Sequence, residues 1–354
     1  MAGARLTCDR HFAGMSHKRD TARPRWWCGV WAGAGADMAF LGISSSGGGV
    51  SCVEWPGWPV EAGLVRALAG VPRAAPVVIL VHGFRYHPAS AEADPFVRLY
   101  GPGEANWPGG LGFSRRDPHN GLCIGFGWEG VAMPGRRRWR HLSGFAQIYG
   151  RAGGTGRRLA SVINAIGAID PQRRVDVLAH SLGARVALRA LPALQQANLG
   201  RVILLGAAEY EGEALRMLQA NAANRQAEFI NVTARANDPV DYLFERLAPR
   251  RLRDDCALGA GRRGKGLRWL DVPIDNPAAI ACLSRRGIEI CPRRRMMDHG
   301  GFYLRDGVFD FYQALIRNRE DMALALLRFE LSFVPDEPRW TRLVPRHWGG
   351  LGAG

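Results

Sequence analysis

Ser181 stands within "VDVLAHSLGARVALRAL" (175–191). There an apolar, strand-like run breaks at Ala179-His180-Ser181-Leu182-Gly183 and resumes at once as an Ala-rich, helix-like run. A serine held on a sharp strand-to-helix turn can act as a nucleophile. Such a turn crowds the residues two before and two after it, so both must be small. Here they are Ala179 and Gly183. The helix beginning Leu182-Gly183-Ala184 aims its first amides toward the hydroxyl, where a tetrahedral oxyanion would form.

Further residues could complete that chemistry. His82-Gly83-Phe84 ends the β-branched run "VVILVHGF" (77–84). The imidazole of His82 itself reads as structural. Asp238 closes "EFINVTARAND" (228–238) and precedes Pro239-Val240, which also suits a helix N-cap. Glu209, at the end of "RVILLGAAE", is the alternative acid. Beyond the last strand-like run, "LRWLDVPID", only His299 and His347 remain, and His299 lies in the turn-like "MMDHGGFY". A loop histidine is well placed to carry a proton. His180 is too close to Ser181 in sequence to align with its oxygen and reads as wall or scaffold.

These motifs resemble those of the α/β-hydrolase superfamily, with A-x-S-x-G in place of the G-x-S-x-G nucleophile elbow. The resemblance runs from about Val77 to Asn318. It implies an α/β fold with a mostly parallel central sheet, helices on both faces and "MAFLGISSSGGGVSCVEW" as an antiparallel leading hairpin. It implies Ser181 as nucleophile, His299 as base and Asp238 as acid, with Glu209 the alternative. The backbone amides of Phe84 and Leu182 are then the oxyanion donors. The implied reaction is hydrolysis of a carboxylic ester through an acyl-enzyme. A thioesterase or acyltransferase on the same fold, or a non-catalytic binding member, are the alternatives. No metal or organic cofactor is required.

The elements needed to hold these residues are visible as pattern. Short apolar runs alternate with helix-like segments, as crossovers in a parallel sheet require. Only one short helix fits between Glu209 and Glu228, so no large cap domain is expected. Residues 1–37 read as a leader outside the fold, 38–318 as the hydrolase domain and 319–354 as a terminal strap or tail. The long segments 85–120 and 129–145 read as binding loops. Their Tyr86, Phe96, Trp107, Phe113, Trp139 and Arg136–Arg138 suggest an apolar slot with a basic rim, for an ester or thioester bearing an anionic group.

Composition narrows the classes further. The net charge is +15, and almost every cation is Arg. The arginines are scattered and no aromatic-basic RNA-binding signature accompanies them, which argues against nucleic acid. Seven cysteines form no C-x-x-C pair and no zinc spacing. No apolar run approaches the ~18 residues of a membrane span. A cytoplasmic location is expected, with export through the basic, Trp-rich N-terminus as the alternative.

Overall fold

A computed structural model describes residues 39–335, apart from 103–104, 114–116, 132–140, 196–197, 262–265, 267 and 294. The expected leader, Arg136–Arg138, Trp139 and the tail from 336 onward lie outside the described residues. The chain opens with a hairpin, β1 (Phe40–Ser46) and β2 (Gly49–Cys52), turned at Gly47-Gly48. Helix α1 (Val60–Leu68) leads into β3 (Val77–Val81). Two one-turn helices, α2 (Pro95–Arg98) and α3 (Trp107–Gly110), precede β4 (Leu122–Trp128). The long α4 (His141–Ile169) is followed by β5 (Val175–His180), α5 (Leu182–Ala190), β6 (Leu199–Leu205), α6 (Glu211–Gln219) and β7 (Glu228–Thr233). Then come α7 (Asp238–Leu247), β8 (Trp269–Pro273), α8 (Pro277–Ser284), α9 (Gly301–Leu304), α10 (Val308–Arg317) and α11 (Leu324–Leu331). The last of these forms within the stretch read from sequence as a strap.

The eight strands make one open sheet in the order β2-β1-β4-β3-β5-β6-β7-β8, parallel except for the β1–β2 pair. The architecture is therefore α/β, with a mostly parallel sheet as expected. Strands β3, β4, β5 and β6 are buried at every position. That is why they read as unbroken apolar runs rather than alternating ones. Val77, Ile79 and Val81 join a core with Leu64 of α1, Leu159 and Ile163 of α4 and Leu188 of α5. Alternation along the strand sends Val78 and Leu80 to the opposite face. There Tyr100 donates its hydroxyl to the carbonyl of Leu80 (3.0 Å), and its ring meets Trp107, which in turn meets Tyr303 of α9. Both faces of the sheet are thus covered.

β3 connects toward β4 on one side, and β5 connects toward β6 on the other. Chains leaving neighbouring strands in opposite directions open a crevice at their carboxyl ends, the usual ligand position in open α/β sheets. Phe84 follows β3 and Ser181 follows β5, so both flank that crevice. Between β6 and β7 lie α6 and a single short 3-10 stretch, Ala222–Gln226.

Two glycines test this packing in opposite senses. A Cβ on Gly183 would collide with the carbonyl oxygens of Val81 and His82, backbone atoms of β3 and its end that cannot swing aside. A Cβ on Gly154, inside α4, would meet nothing within 4 Å. Gly183→Ala is expected to lower the unfolding free energy by about 1–3 kcal/mol or more, as overpacking does. Gly154→Ala is expected to raise it by about 0.5–1 kcal/mol, the helix-interior gain over glycine. Chemical denaturation of the two variants checks both signs.

Candidate active site

Ser181 has φ 54° and ψ −122°. Those values belong to a position that glycine prefers, the first central residue of a type II′ turn. Arg85 (φ 80°) is the other non-glycine residue at positive φ among the described residues. Holding a side chain there costs on the order of 1–3 kcal/mol and persists only where the surroundings over-determine it. They do so here. The amide of Ser181 donates to Leu205 O (2.9 Å), and its carbonyl accepts from Ala184 N (3.0 Å) and Ala208 N (3.1 Å). A Cβ on Gly83 would come within 2.8 Å of Ser181 Cβ, so the end of β3 presses directly on the turn. Ser181 is left only 6% exposed. Its Oγ forms no hydrogen bond among the described residues.

The amides of Phe84 and Leu182 also donate to no acceptor among the described residues. The loop carrying Phe84 is latched to Gly130, through Arg85 N to Gly130 O (3.0 Å) and Gly130 N to Tyr86 O (2.8 Å). Beneath it His82 is immobilised. Its Nδ1 lies 2.8 Å from Gly83 O, its Nε2 accepts from Trp128 N (2.9 Å), and its ring stacks on Trp128 at 8°. Burial pushes its pKa down to about 3 despite these two backbone hydrogen bonds, so it is a neutral prop for the loop.

His299 is held by the segment before α9. Its Nδ1 lies 2.6 Å from Oδ1 of Asn237, the fully buried residue just before Asp238. Sequence reasoning named Asp238 for that place. In the structure Asp238 is the first residue of α7 and fully buried, and it is Asn237 that bonds the imidazole. Asn237 Nδ2 donates in turn to Asp241 Oδ1 (2.9 Å). Neither Asn237 nor Asp241 was singled out from the sequence, although both stand in "NDPVD". The turn is braced by Asp275, whose carboxylate accepts from Arg235 N (2.8 Å) and Ala236 N (2.9 Å), and by Asp298 N donating to Ala236 O (3.1 Å).

His180 packs its ring 4.6 Å from that of His299, and its Nε2 lies 3.3 Å from the carbonyl oxygen of His299. Trp107, Phe302 and Tyr303 enclose it. Burial, then the neighbouring His299, hold its pKa well below the ordinary imidazole range. Burial, then the Arg85 guanidinium, push His299 down to about 4.

Glu209 is committed elsewhere. It is fully buried, with Oε1 accepting from Tyr149 Oη (2.5 Å) and Tyr210 N (2.9 Å) and Oε2 paired with Arg185 (2.5 Å). That network ties the turn after β6 to α4 and α5. The expected aromatic slot is also rearranged. Phe96 lies against Gly127 and Tyr100, and Phe113 lies beneath the Arg317 guanidinium, so both are core residues. Trp107, also expected in the slot, packs with Tyr303 against His180.

No family model matches the chain. No curated protein matches its sequence either. Among the described residues no three His, Cys, Asp or Glu are placed to hold a metal ion, and no helix is long and apolar enough to cross a membrane. Cavities of about 450 and 530 Å³ open elsewhere on the surface, and neither is lined by Ser181 or His299.

Two outcomes follow from this geometry. Ser181→Gly should unfold at a free energy about 1 kcal/mol above that of Ser181→Ala, because only glycine relieves the turn. Thermal unfolding of the pair measures this, and equal stability would mean that the turn carries no strain. The second outcome concerns acid. His82, His180 and His299 are neutral in the fold well below the ~6.5 at which a histidine in an unfolded chain takes up a proton. Their stabilising effect is therefore complete above pH ~6.5 and declines as pH falls toward about 4 and 3, each residue contributing up to ~1.4 kcal/mol per pH unit. Urea midpoints should be level from pH 7.5 to 8.5 and fall between 6.5 and 4.

Proposed function

We propose that the protein is a serine hydrolase of the α/β-hydrolase type that cleaves a carboxylic ester through an acyl-enzyme. One observation carries the reading. A serine sits on a strained strand-to-helix turn pressed against Gly83, and the amides of the adjoining residues, Phe84 and Leu182, donate to no acceptor among the described residues. Backbone strain concentrates at functional sites, and preorganised donors are what a tetrahedral oxyanion needs.

In this mechanism His299 Nε2 removes the Ser181 proton as Oγ attacks the ester carbonyl. The carbonyl oxygen gains negative charge and is held by the amides of Phe84 and Leu182. The imidazolium then returns its proton to the leaving alcohol, leaving an acyl group on Ser181. Water, deprotonated by the same imidazole, releases the acid. Asn237 takes the orienting position, giving a Ser-His-Asn set in place of the Ser-His-Asp set expected from sequence. An amide in that position orients the imidazole as in papain-like enzymes, where Asn serves the same end. In the free protein Ser181 Oγ and His299 are not hydrogen-bonded, and such contacts often tighten only when substrate binds.

The substrate class rests on Arg85. It follows the oxyanion donor Phe84, and its charge is felt at His299. A cation at the mouth of the site favours an ester carrying an anionic group.

A fluorophosphonate probe tests the reading, because its phosphonyl group mimics the tetrahedral intermediate. Labelling should occur once, at Ser181, and be abolished in Ser181→Ala and slowed steeply in His299→Ala. The labelling rate should hold on lowering the pH until the imidazole protonates near 4. Labelling that survives Ser181→Ala would falsify the assignment.

A further inference from the structure

Asp241 is a buried carboxyl group that the proposed reaction leaves unused. It lies one helical turn beyond Asn237 on α7 and accepts Asn237 Nδ2–H at 2.9 Å. The far side of that amide faces His299 Nδ1 at 2.6 Å. The carboxylate is pinned in place: Gly259 packs so closely on Asp241 Oδ1 that a Cβ there would collide with it, and Gly259 N is fixed to Ala207 O (2.9 Å).

The hydrogen-bond chemistry of the three groups is asymmetric. An ionised carboxylate only accepts. The NH2 of Asn237 must therefore face Asp241, and its oxygen must face His299. An amide oxygen also only accepts, so the imidazole must carry its proton on Nδ1 and leave Nε2 bare. The backbone around Asn237 is already immobilised by Asp275 and Asp298. Rotation of the amide by half a turn is the remaining freedom, and it would present NH2 to His299 and select the wrong tautomer. Asp241 removes that freedom.

We propose that Asp241 is a positioning residue for the hydrolysis, fixing the tautomer of His299 through the Asn237 amide and lending its charge to the imidazolium from behind; the proposal rests on the reading of Ser181 and His299 as nucleophile and base. The other charged or titratable groups around the imidazole are His180 from β5, Arg85 from the loop after β3, Asp298 beside it in sequence and Tyr303 of α9. Asp238, beside Asn237, is buried at the start of α7. Arg85 disfavours the imidazolium. In the proposed arrangement Asp241 opposes it, so its removal should lower the imidazole pKa further.

The full-length chain is used for the test, with two readouts. Imidazole ¹⁵N NMR reports the tautomer and titration midpoint of His299 whether or not the protein is active. Fluorophosphonate labelling of Ser181 as a function of pH reports reactivity. Wild type should show the Nδ1–H tautomer. Asp241→Asn should show a mixture of tautomers, a lower midpoint and labelling slowed by about 10- to 100-fold, the usual loss when the outer partner of a functional imidazole is removed. The double variant Asn237→Asp/Asp241→Asn keeps one carboxylate and one amide but sets the charge against the ring. It should restore the Nδ1–H tautomer and move the midpoint and the acid limb of labelling upward by about one pH unit or more, as a carboxylate partner does. If Asp241→Asn fails to fold, the double variant decides alone. A labelled protein in which Asp241→Asn keeps the wild-type tautomer, midpoint and rate, or a double variant whose midpoint does not rise, overturns the role of Asp241. An unlabelled wild type with an Asp241-dependent tautomer overturns the hydrolase reading and leaves the Asp241 relay standing.

Discussion

The molecule is organised by the contact between the end of β3 and the turn that follows β5. Gly83 and Gly183 let two backbones approach more closely than any side chain would allow: Gly83 against Ser181, Gly183 against the carbonyls of Val81 and His82. Interiors packed at crystal-like density transmit such a constraint rather than absorb it. With β3 pressed against it, and with its amide and carbonyl both fixed by backbone partners, Ser181 has no route to ordinary dihedral angles. The same contact fixes the ends of β3 and β5, whose next residues, Phe84 and Leu182, have amides that donate to no acceptor among the described residues. Strain and preorganisation are thus two results of one close approach. Gly206 (φ 51°) allows the next strand to do likewise against Phe302, whose helix follows His299. Ser181 and the segment carrying His299 are thereby referred to one rigid sheet edge.

Three buried imidazoles lie along that edge, and each does a different task. His82 is a prop, with both nitrogens taken by backbone. His180 holds the backbone of His299 from below. His299 alone keeps Nε2 without a hydrogen bond among the described residues. Keeping all three neutral requires a dry site, and dryness makes His299 a weak base in the resting protein. In the proposed reaction the missing charge stabilisation arrives with the substrate: the oxyanion forms beside the imidazolium and offsets the burial that disfavours it. The interaction is absent in the ground state, which is the condition under which it accelerates the chemical step.

Sequence reading reached the fold where one physical signal dominated. Strands buried on both faces appear as continuous apolar runs, so β3 to β6 are legible in the sequence, and the small-Ser-small pattern marks the turn. It also pointed to His299 within its loop, because His299 is one of only two histidines after the last strand. It missed Asn237 for a geometric reason. At a helix start each residue is turned about 100° from the one before, and "NDPVD" offers three polar side chains whose facing depends on how the 3-10 turn Arg235–Asn237 enters α7. The search was also for a carboxylate, while the structure places an amide on the imidazole and the carboxylate one turn behind. Phe96 and Phe113 were read as slot residues because their segment looked like a loop. The cap signals for its two short helices were present: Asp94 before Pro95, with its side chain accepting from Phe96 N (2.8 Å), and Asn106 before Trp107-Pro108.

Arg85 shows why the parts of the site cannot be ranked one at a time. It occupies a position of positive φ that glycine would fill without strain, and the latch to Gly130 needs only its backbone. The side chain it carries lowers the basicity of His299, which works against proton removal from Ser181. The same cation lies on the side of the oxyanion donors, because Phe84 is its neighbour in the chain. In the proposed reaction a charge that disfavours imidazolium in the resting protein would favour the oxyanion that forms with it and the binding of an anionic ester. Only the difference between ground state and transition state enters the rate. In the proposed relay Asp241 acts through the Asn237 amide with the opposite sign. A cation at Arg85 and an anion at Asp241 would together favour transfer of the Ser181 proton onto Nε2. Glu209 cannot act in this way, since Arg185 and Tyr149 already occupy its oxygens. The carboxylate that can do so is the one that reaches the ring through an amide.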